Sequence, residues 1–157
     1  MNIGLAIAVA GATISTLLGG IGSAIGITIA NKAASGVMSE DPEKFGKLLV
    51  LIALPGTQGF YAFLGGFYVI IKTNLLGGGM PIDIATGLML FFAVLPVGVV
   101  GLVSAIYQGI SSAAGIYVIA KKPDEVGKAM ILPAMVETYA VLGLLATILF
   151  LTGIKVG

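Results

Sequence analysis

Residues 126–151 read VGKAMILPAMVETYAVLGLLATILFL and place one carboxylate, Glu137, in the middle of an apolar run. The run exceeds the ~20 residues that a helix needs to cross the hydrocarbon of a bilayer. A carboxylate at that depth costs about 2.5–3.5 kcal/mol on insertion scales, so an acidic residue there indicates a functional site. The other acidic residues all lie in short polar connectors: Glu40, Asp41, Glu43, Asp83, Asp124 and Glu125.

The composition is that of an integral membrane protein. Hydrophobic residues make up 58% of the 157 residues and charged residues only 10%, whereas a soluble domain carries about 25% charged residues. The chain has no Cys and no His, which excludes disulfides, thiol nucleophiles and the commonest general base and metal ligand. The net charge of +1 gives no reason to expect binding to nucleic acid.

Four apolar stretches, at about 3–35, 46–75, 84–119 and 126–153, predict an all-α membrane protein with four transmembrane helices. The first stretch lacks a basic leader and continues to Ala30, so we expect an uncleaved helix rather than a signal peptide. The connectors are short, so consecutive helices are expected to be antiparallel neighbours.

The chain is a tandem duplication of a helical hairpin. The first hairpin is predicted to span residues 1–75, and the second spans residues 84–157 and carries the carboxylate. An offset of 81 residues replaces Glu137 by Gly56 and Gln108 by Ile27, so only one carboxylate remains per pair of hairpins. The same offset, without a gap, relates these identical pairs: Gly20/Gly101, Ser23/Ser104, Ala24/Ala105, Ile25/Ile106, Pro42/Pro123, Gly46/Gly127, Lys47/Lys128 and Thr57/Thr138.

The distribution of lysine predicts the orientation. Six of the eight lysines lie at the helix ends that bear the two polar connectors, and only Lys72 and Lys155 lie at the opposite ends. The positive-inside rule then places both polar connectors in the cytoplasm and both termini outside. The six are Lys32, Lys44, Lys47, Lys121, Lys122 and Lys128.

Small residues follow one face of the first helix and one face of the third. Such faces allow membrane helices to approach closely. One interpretation is packing within a single chain, and the one we favour is a tight assembly with helices 1 and 3 inside and helices 2 and 4 outside. The residues are Ala8, Gly11, Ser15, Gly19, Gly22 and Gly26 in helix 1, and Gly98, Gly101, Ala105 and Gly109 in helix 3.

Four polar residues on three helices are predicted to share one layer with a common depth. Counted from the helix ends at the polar connectors, Thr57, Gln58, Gln108 and Glu137 all lie about 16–18 Å deep. Pro55 cannot donate a backbone hydrogen bond, which loosens the helix just before this layer. Such an oxygen-rich site with one negative charge suits a monovalent hard cation, although a proton on the carboxylate would also neutralise it.

Structural interpretations of the same polar residues remain open. Thr57 and Thr138 are able to bond to the carbonyl groups four residues earlier in their own helices. The two glutamines are able to join helices without binding a ligand. Tyr61 and Tyr139 fit equally well as aromatic residues of the core.

The segment LPGTQGFY at 54–61, together with Gln108 and the segment MVETYA at 135–140, resembles the rotor-ring proteolipids (c or K) of V-type ATPases. The resemblance is greatest to the bacterial sodium-translocating form and covers essentially the whole chain. It implies Na⁺ ligands from the side chains of Thr57, Gln58, Gln108 and Glu137 and from the carbonyl of Leu54. It also implies a supporting hydrogen bond from Tyr61 to Glu137.

The resemblance further implies a homo-oligomeric ring in the cell membrane that carries Na⁺ on its outer wall, in contact with lipid and a stator subunit. The polar loops 36–45 and 120–126 would dock on a cytoplasmic central stalk, and a separate soluble head would hydrolyse ATP. The chain itself would catalyse no reaction. Alternatives are a proton-coupled ring, a small secondary transporter that uses one membrane glutamate, and a purely structural pore.

Overall fold

A computed structural model describes residues 2–156. It contains α1 (Ile3–Glu40), α2 (Phe45–Ala53), α3 (Thr57–Lys72), α4 (Ile84–Lys121) and α5 (Val126–Gly153), with no strand in the described part of the chain. These helices form four spans that are long and apolar enough to cross a membrane. The second span, Pro42–Lys72, consists of α2 and α3 together with the 3₁₀ turns Pro42–Lys44 and Leu54–Gly56. The predicted all-α fold of four spans is confirmed.

The two hairpins begin with equivalent caps. The side chain of Asn2 accepts a hydrogen bond from the backbone N–H of Leu5 at 2.9 Å, and that of Asp83 accepts one from Thr86 at 2.9 Å. Asn2 and Asp83 are separated by the 81-residue offset of the repeat. Hydrogen bonds from the side chain and the backbone of Thr86 hold the pKa of Asp83 below its ordinary value. Each cap satisfies an N–H group that the first helical turn leaves without a partner.

The second span is interrupted where the sequence predicts it. Leu54–Gly56 form a 3₁₀ turn between α2 and α3, with Pro55 in its middle. Pro55 has no N–H to bond to the carbonyl of Leu51, which removes one α-helical hydrogen bond and loosens the helix here. Proline alone does not require a break, because α4 and α5 continue as helices through Pro96 and Pro133. Because of the 3₁₀ turn, the predicted second helix, 46–75, is two helices, and it ends at Lys72. The first helix is longer than predicted and continues to Glu40.

Helices α1 and α4 share the most extensive interface of the molecule, and their small residues form it. A Cβ atom added at Gly22 would lie 2.6 Å from the Cα of Leu102, and one added at Gly98 would lie 2.6 Å from the Cα of Ser15. These contacts lie within one chain, so packing within the chain accounts for the small-residue face of α1. That helices 1 and 3 form the inner side of a larger assembly, with helices 2 and 4 on its outer side, stays a prediction.

The buried core has two apolar clusters with polar residues between them. One cluster, which includes Leu5, Leu90 and Leu151, lies near the chain termini. The other, which includes Leu48 and Ile116, lies near the polar connectors. Large apolar side chains cover the outer faces of the helices, as contact with lipid requires. The polar residues between the clusters include Gln58 and Gln108, both fully buried.

Candidate cation-binding site

Helix α5 directs the half-buried carboxylate of Glu137 toward α3 and α4. The hydroxyl of Thr57 lies 2.7 Å and 2.9 Å from its two oxygens. The Nε2 atoms of Gln108 and Gln58 donate to Glu137 Oε2 at 2.6 Å and 3.3 Å. The structure therefore brings all four residues of the predicted polar layer into contact. Hydrogen bonds to an ionised acceptor are the stronger class, so they hold the carboxylate in a defined position.

The two glutamines form a buried bridge behind the carboxylate. Gln58 Nε2 donates to Gln108 Oε1, which joins α3 to α4. Gln108 Nε2 also donates to the carbonyl of Pro133 at 3.1 Å, which joins α4 to α5. Both side chains are 0% exposed, where a polar group without partners would be costly. They therefore tie the three helices together at the level of Glu137.

The hydroxyl of Thr57 is surrounded by more acceptors than it has protons. Besides the two carboxylate oxygens, the carbonyl of Leu54 lies 2.9 Å from Thr57 Oγ1. A hydroxyl carries one proton and satisfies one acceptor at a time. Leu54 takes this position because the 3₁₀ turn brings its carbonyl close to the start of α3. The remaining oxygen lone pairs converge on one small region, as in a binding site for a hard cation.

The tyrosines and Thr138 occupy different positions relative to this site. Tyr61 lies beside Glu137 and Thr57, while the hydrogen bonds to the carboxylate described above come from the other three side chains. Its bond to Glu137 stays a prediction. Tyr139 is 64% exposed on the outer face, so the interpretation of it as a core residue is wrong. Thr138 bonds to the carbonyl of Met135 at 2.7 Å, the backbone role expected for it, although three residues back rather than four.

The charge at the site is a single carboxylate. The two ion pairs of the described chain, Lys44–Asp41 and Lys128–Glu125, both lie at the polar connectors. Residues 2–156 contain no group of three or more His, Cys, Asp or Glu side chains able to hold a metal ion. One negative charge balances one monovalent cation, whereas Ca²⁺ sites use several carboxylates.

The first hairpin keeps the geometry of the site without its chemistry. Gly56 occupies the position equivalent to Glu137, and Ile27 the position equivalent to Gln108. A Cβ atom added at Gly56 would lie 3.1 Å from Ile27 Cδ1, so the two equivalent positions also face each other. An aliphatic group has replaced the carboxamide there, which leaves one polar site per chain of four spans.

Two participants were not anticipated from the sequence. The carbonyl of Pro133 accepts from Gln108, and the hydroxyl of Ser23 accepts from the backbone N–H of Gly59 at 2.8 Å. Pro133 was recognisable by its position one turn before Glu137. Ser23 carried only the signal of a polar residue within the small-residue part of helix 1.

Ser112 offers a contrasting case, because its hydroxyl has no hydrogen-bond partner in the described structure although it is fully buried. It lies one turn from Gln108, toward the polar connectors. We expect Ser112→Ala to raise the free energy of unfolding by about 1 kcal/mol, since it removes an unsatisfied buried donor. Thermal melting in detergent measures this change. Ser15→Ala is the control and should lower the melting temperature, because Ser15 donates to the buried carbonyl of Val94 at 2.8 Å. A lower melting temperature for Ser112→Ala would contradict the prediction.

The family model for the C subunits of ATP synthases matches the chain twice, at residues 10–69 and at residues 91–150. The chain belongs to this ATP synthase C-subunit family. The two matches are related by the same 81 residues as the internal repeat, so the tandem duplication is confirmed. As a member of this family the chain is a c/K-type proteolipid, a multi-pass membrane protein that translocates ions within a rotary ATPase and catalyses no reaction itself.

Two relatives of this c/K-type proteolipid are similar over nearly its whole length. The V-type sodium ATPase subunit K of Enterococcus hirae is 43% identical over 148 residues, which cover 94% of this chain and 92% of the relative. The A-type ATP synthase subunit K of Methanocaldococcus jannaschii is 38% identical over 147 residues, which cover 94% of this chain and 62% of the relative.

Proposed function

We propose that this proteolipid binds Na⁺ at Glu137 and carries it across the membrane as a rotor ring turns. The observation that carries the proposal is the crowding of oxygen atoms around Thr57, where three acceptors lie 2.7–2.9 Å from a hydroxyl that has one proton. Of the three, only Glu137 Oε2 also accepts from the two glutamine side chains. A monovalent cation coordinated by those oxygens satisfies them together. The Enterococcus hirae relative is named as a subunit of a sodium ATPase, which supports the same ion here.

The proposed ligands are a carboxylate oxygen of Glu137, the hydroxyl oxygen of Thr57, the carbonyl of Leu54 and the carboxamide oxygens of Gln58 and Gln108. A carboxamide has a donor end and an acceptor end, and rotation of its terminal torsion exchanges them. Such a rotation turns the oxygen of each glutamine toward the cation. The bond between Gln58 and Gln108 then re-forms with donor and acceptor exchanged, and the bond from Gln108 to the carbonyl of Pro133 is given up. Tyr61, which lies beside Glu137, is proposed to close the site with a hydrogen bond.

The coupling of rotation to ion binding follows from the cost of charge in lipid. An ionised Glu137 without a counter-ion is expensive at mid-membrane depth, whereas the Na⁺-carboxylate pair is locally neutral. In the proposed homo-oligomeric ring, the loaded site passes lipid and exchanges its ion only at a stator subunit, where a positive side chain and water stabilise the empty carboxylate. Loops 36–45 and 120–126 are proposed to lie in the cytoplasm and dock on a central stalk, with both termini outside. A separate soluble head would couple this rotation to ATP hydrolysis.

Carbodiimide modification of Glu137 tests which ion binds, because the protonated carboxyl group gives its proton to the reagent and its oxygen then adds to the carbodiimide carbon. We expect millimolar Na⁺ at neutral pH to protect purified rings, with K⁺ at the same ionic strength as the control. Protection arises because bound Na⁺ excludes the proton from the carboxylate. If Na⁺ gives no more protection than K⁺, the sodium assignment fails and a proton-coupled ring of the same family replaces it.

A further inference from the structure

The backbone of α3 is attached to α1 by a partly buried hydrogen bond next to the site. Ser23 Oγ, on a residue that is 7% exposed, accepts from the N–H of Gly59 at 2.8 Å. A Cβ atom at Gly59 would lie 3.1 Å from Ser23 Oγ and 3.3 Å from its Cβ, which is tighter than an ordinary contact. The absence of a side chain at Gly59 is therefore what lets the hydroxyl reach the backbone.

This hydrogen bond acts as a helix cap supplied by another helix. Helix α3 begins at Thr57, directly after the 3₁₀ turn, so Gly59 is the third residue of its first turn. The first N–H groups of a helix have no α-helical partner, and in a membrane they cannot bond to water. Gly56, the residue before the helix, has no side chain that could cap it, and the start of α3 has no side-chain cap hydrogen bond of its own. Ser23 satisfies the group instead.

The second hairpin shows that this contact is not a general feature of the fold. Ser104, the repeat equivalent of Ser23, is also buried, but its hydroxyl has only a 3.5 Å contact with the carbonyl of Gly101 on its own helix. Ala140 stands where the first hairpin has Gly59, and α5 continues as a helix through this region. The contact therefore occurs only in the hairpin whose helix is broken beside the site.

We propose that Ser23 is a positioning residue for cation binding. It fixes the first turn of α3 against α1, and that turn carries Thr57 and Gln58 and follows the carbonyl of Leu54. Coordination requires these oxygens to be held within about 0.5 Å of a productive geometry. The inference rests on the proposed sodium function. Ser23 does not touch the site, and it influences the cation affinity through the position of α3.

Rings with Ser23→Ala and, as the matched control, Ser104→Ala test the proposal. The measurement is the Na⁺ concentration that gives half-protection of Glu137 from carbodiimide. We expect this concentration to rise roughly tenfold for Ser23→Ala, because the partly buried N–H of Gly59 loses its partner beside the ligands. It should stay at the wild-type value for Ser104→Ala. Melting temperatures of the two rings are recorded in parallel, since a merely structural role would lower the melting temperature and leave the half-protection concentration unchanged.

Gly59→Ala perturbs the same contact from the other side, and it carries the test if Ser23→Ala rings do not assemble. It should also raise the half-protection concentration, because its Cβ displaces the Ser23 hydroxyl. If Ser23→Ala rings show the wild-type half-protection concentration, the role of Ser23 is overturned and the sodium function stays intact. If only Gly59→Ala rings assemble, the same result in that variant has the same meaning. A wild-type ring that Na⁺ does not protect overturns the sodium function, and the role of Ser23 falls with it.

Discussion

Glu137→Gln rings should assemble and should transport no Na⁺, with a loss of roughly 100-fold or more relative to the wild type, since the only anionic ligand is gone. The amide has nearly the shape of the carboxylate and remains able to bond to Thr57 and Gln108, which contact Glu137 in the wild type at 2.7 Å and 2.6 Å. Packing of the three helices is therefore preserved. A neutral side chain cannot balance the charge of the ion. Uptake of ²²Na⁺ by proteoliposomes that contain the whole ATPase measures the effect.

The control for this variant is Asp83→Asn, which makes the same chemical change outside the two loops proposed to dock on the stalk. Asp83 caps α4 by accepting a hydrogen bond from the backbone N–H of Thr86 at 2.9 Å, and Asn caps a helix as well as Asp does. We expect uptake close to that of the wild type. Transport by Glu137→Gln at a rate near that of Asp83→Asn would refute the assignment of Glu137 as the carrier.

Gly22→Ala should prevent α1 and α4 from reaching their native separation and should destabilise the chain by about 2–3 kcal/mol or more. The new Cβ would lie 2.6 Å from Leu102 Cα and 3.0 Å from Leu102 C, both of which are backbone atoms. Rotation of a side chain cannot relieve such an overlap, so the helices must separate along their main interface. We expect a reduced yield of folded protein and a lower melting temperature in detergent.

Gly36→Ala is the matched control on the same helix, because a Cβ at Gly36 meets no atom within 4 Å. Both variants exchange glycine for a better helix former, a gain of about 1 kcal/mol in a helix interior. The difference between them therefore isolates the contact at Leu102. Equal melting temperatures for the two variants would show that α1 and α4 do not depend on this close approach.

Both predictions concern features that were visible in the sequence at different levels of detail. The hydropathy pattern identifies four spans because lipid leaves the backbone no partners outside a helix. The 81-residue offset identifies the duplication, and Pro55 marks the break in the second span. Counting residues at 1.5 Å each places Gln58, Gln108 and Glu137 at one depth. Lone polar residues in apolar spans are few, so their common depth already indicated a site.

Depth along a helix does not determine the direction in which a side chain points, and this is what packing decides. The rotation of each helix about its axis depends on how its faces fit against its neighbours, and the small faces of α1 and α4 form the most extensive of these fits. That fit turns Gln108 toward Glu137 and Pro133, and it leaves Tyr139 64% exposed on the outer face. It also brings Ser23 to the backbone of Gly59, two residues that are 36 positions apart. The sequence pattern along one helix shows how deep each residue lies in the membrane. The contacts that build the site arise only when neighbouring helices fix one another's rotation.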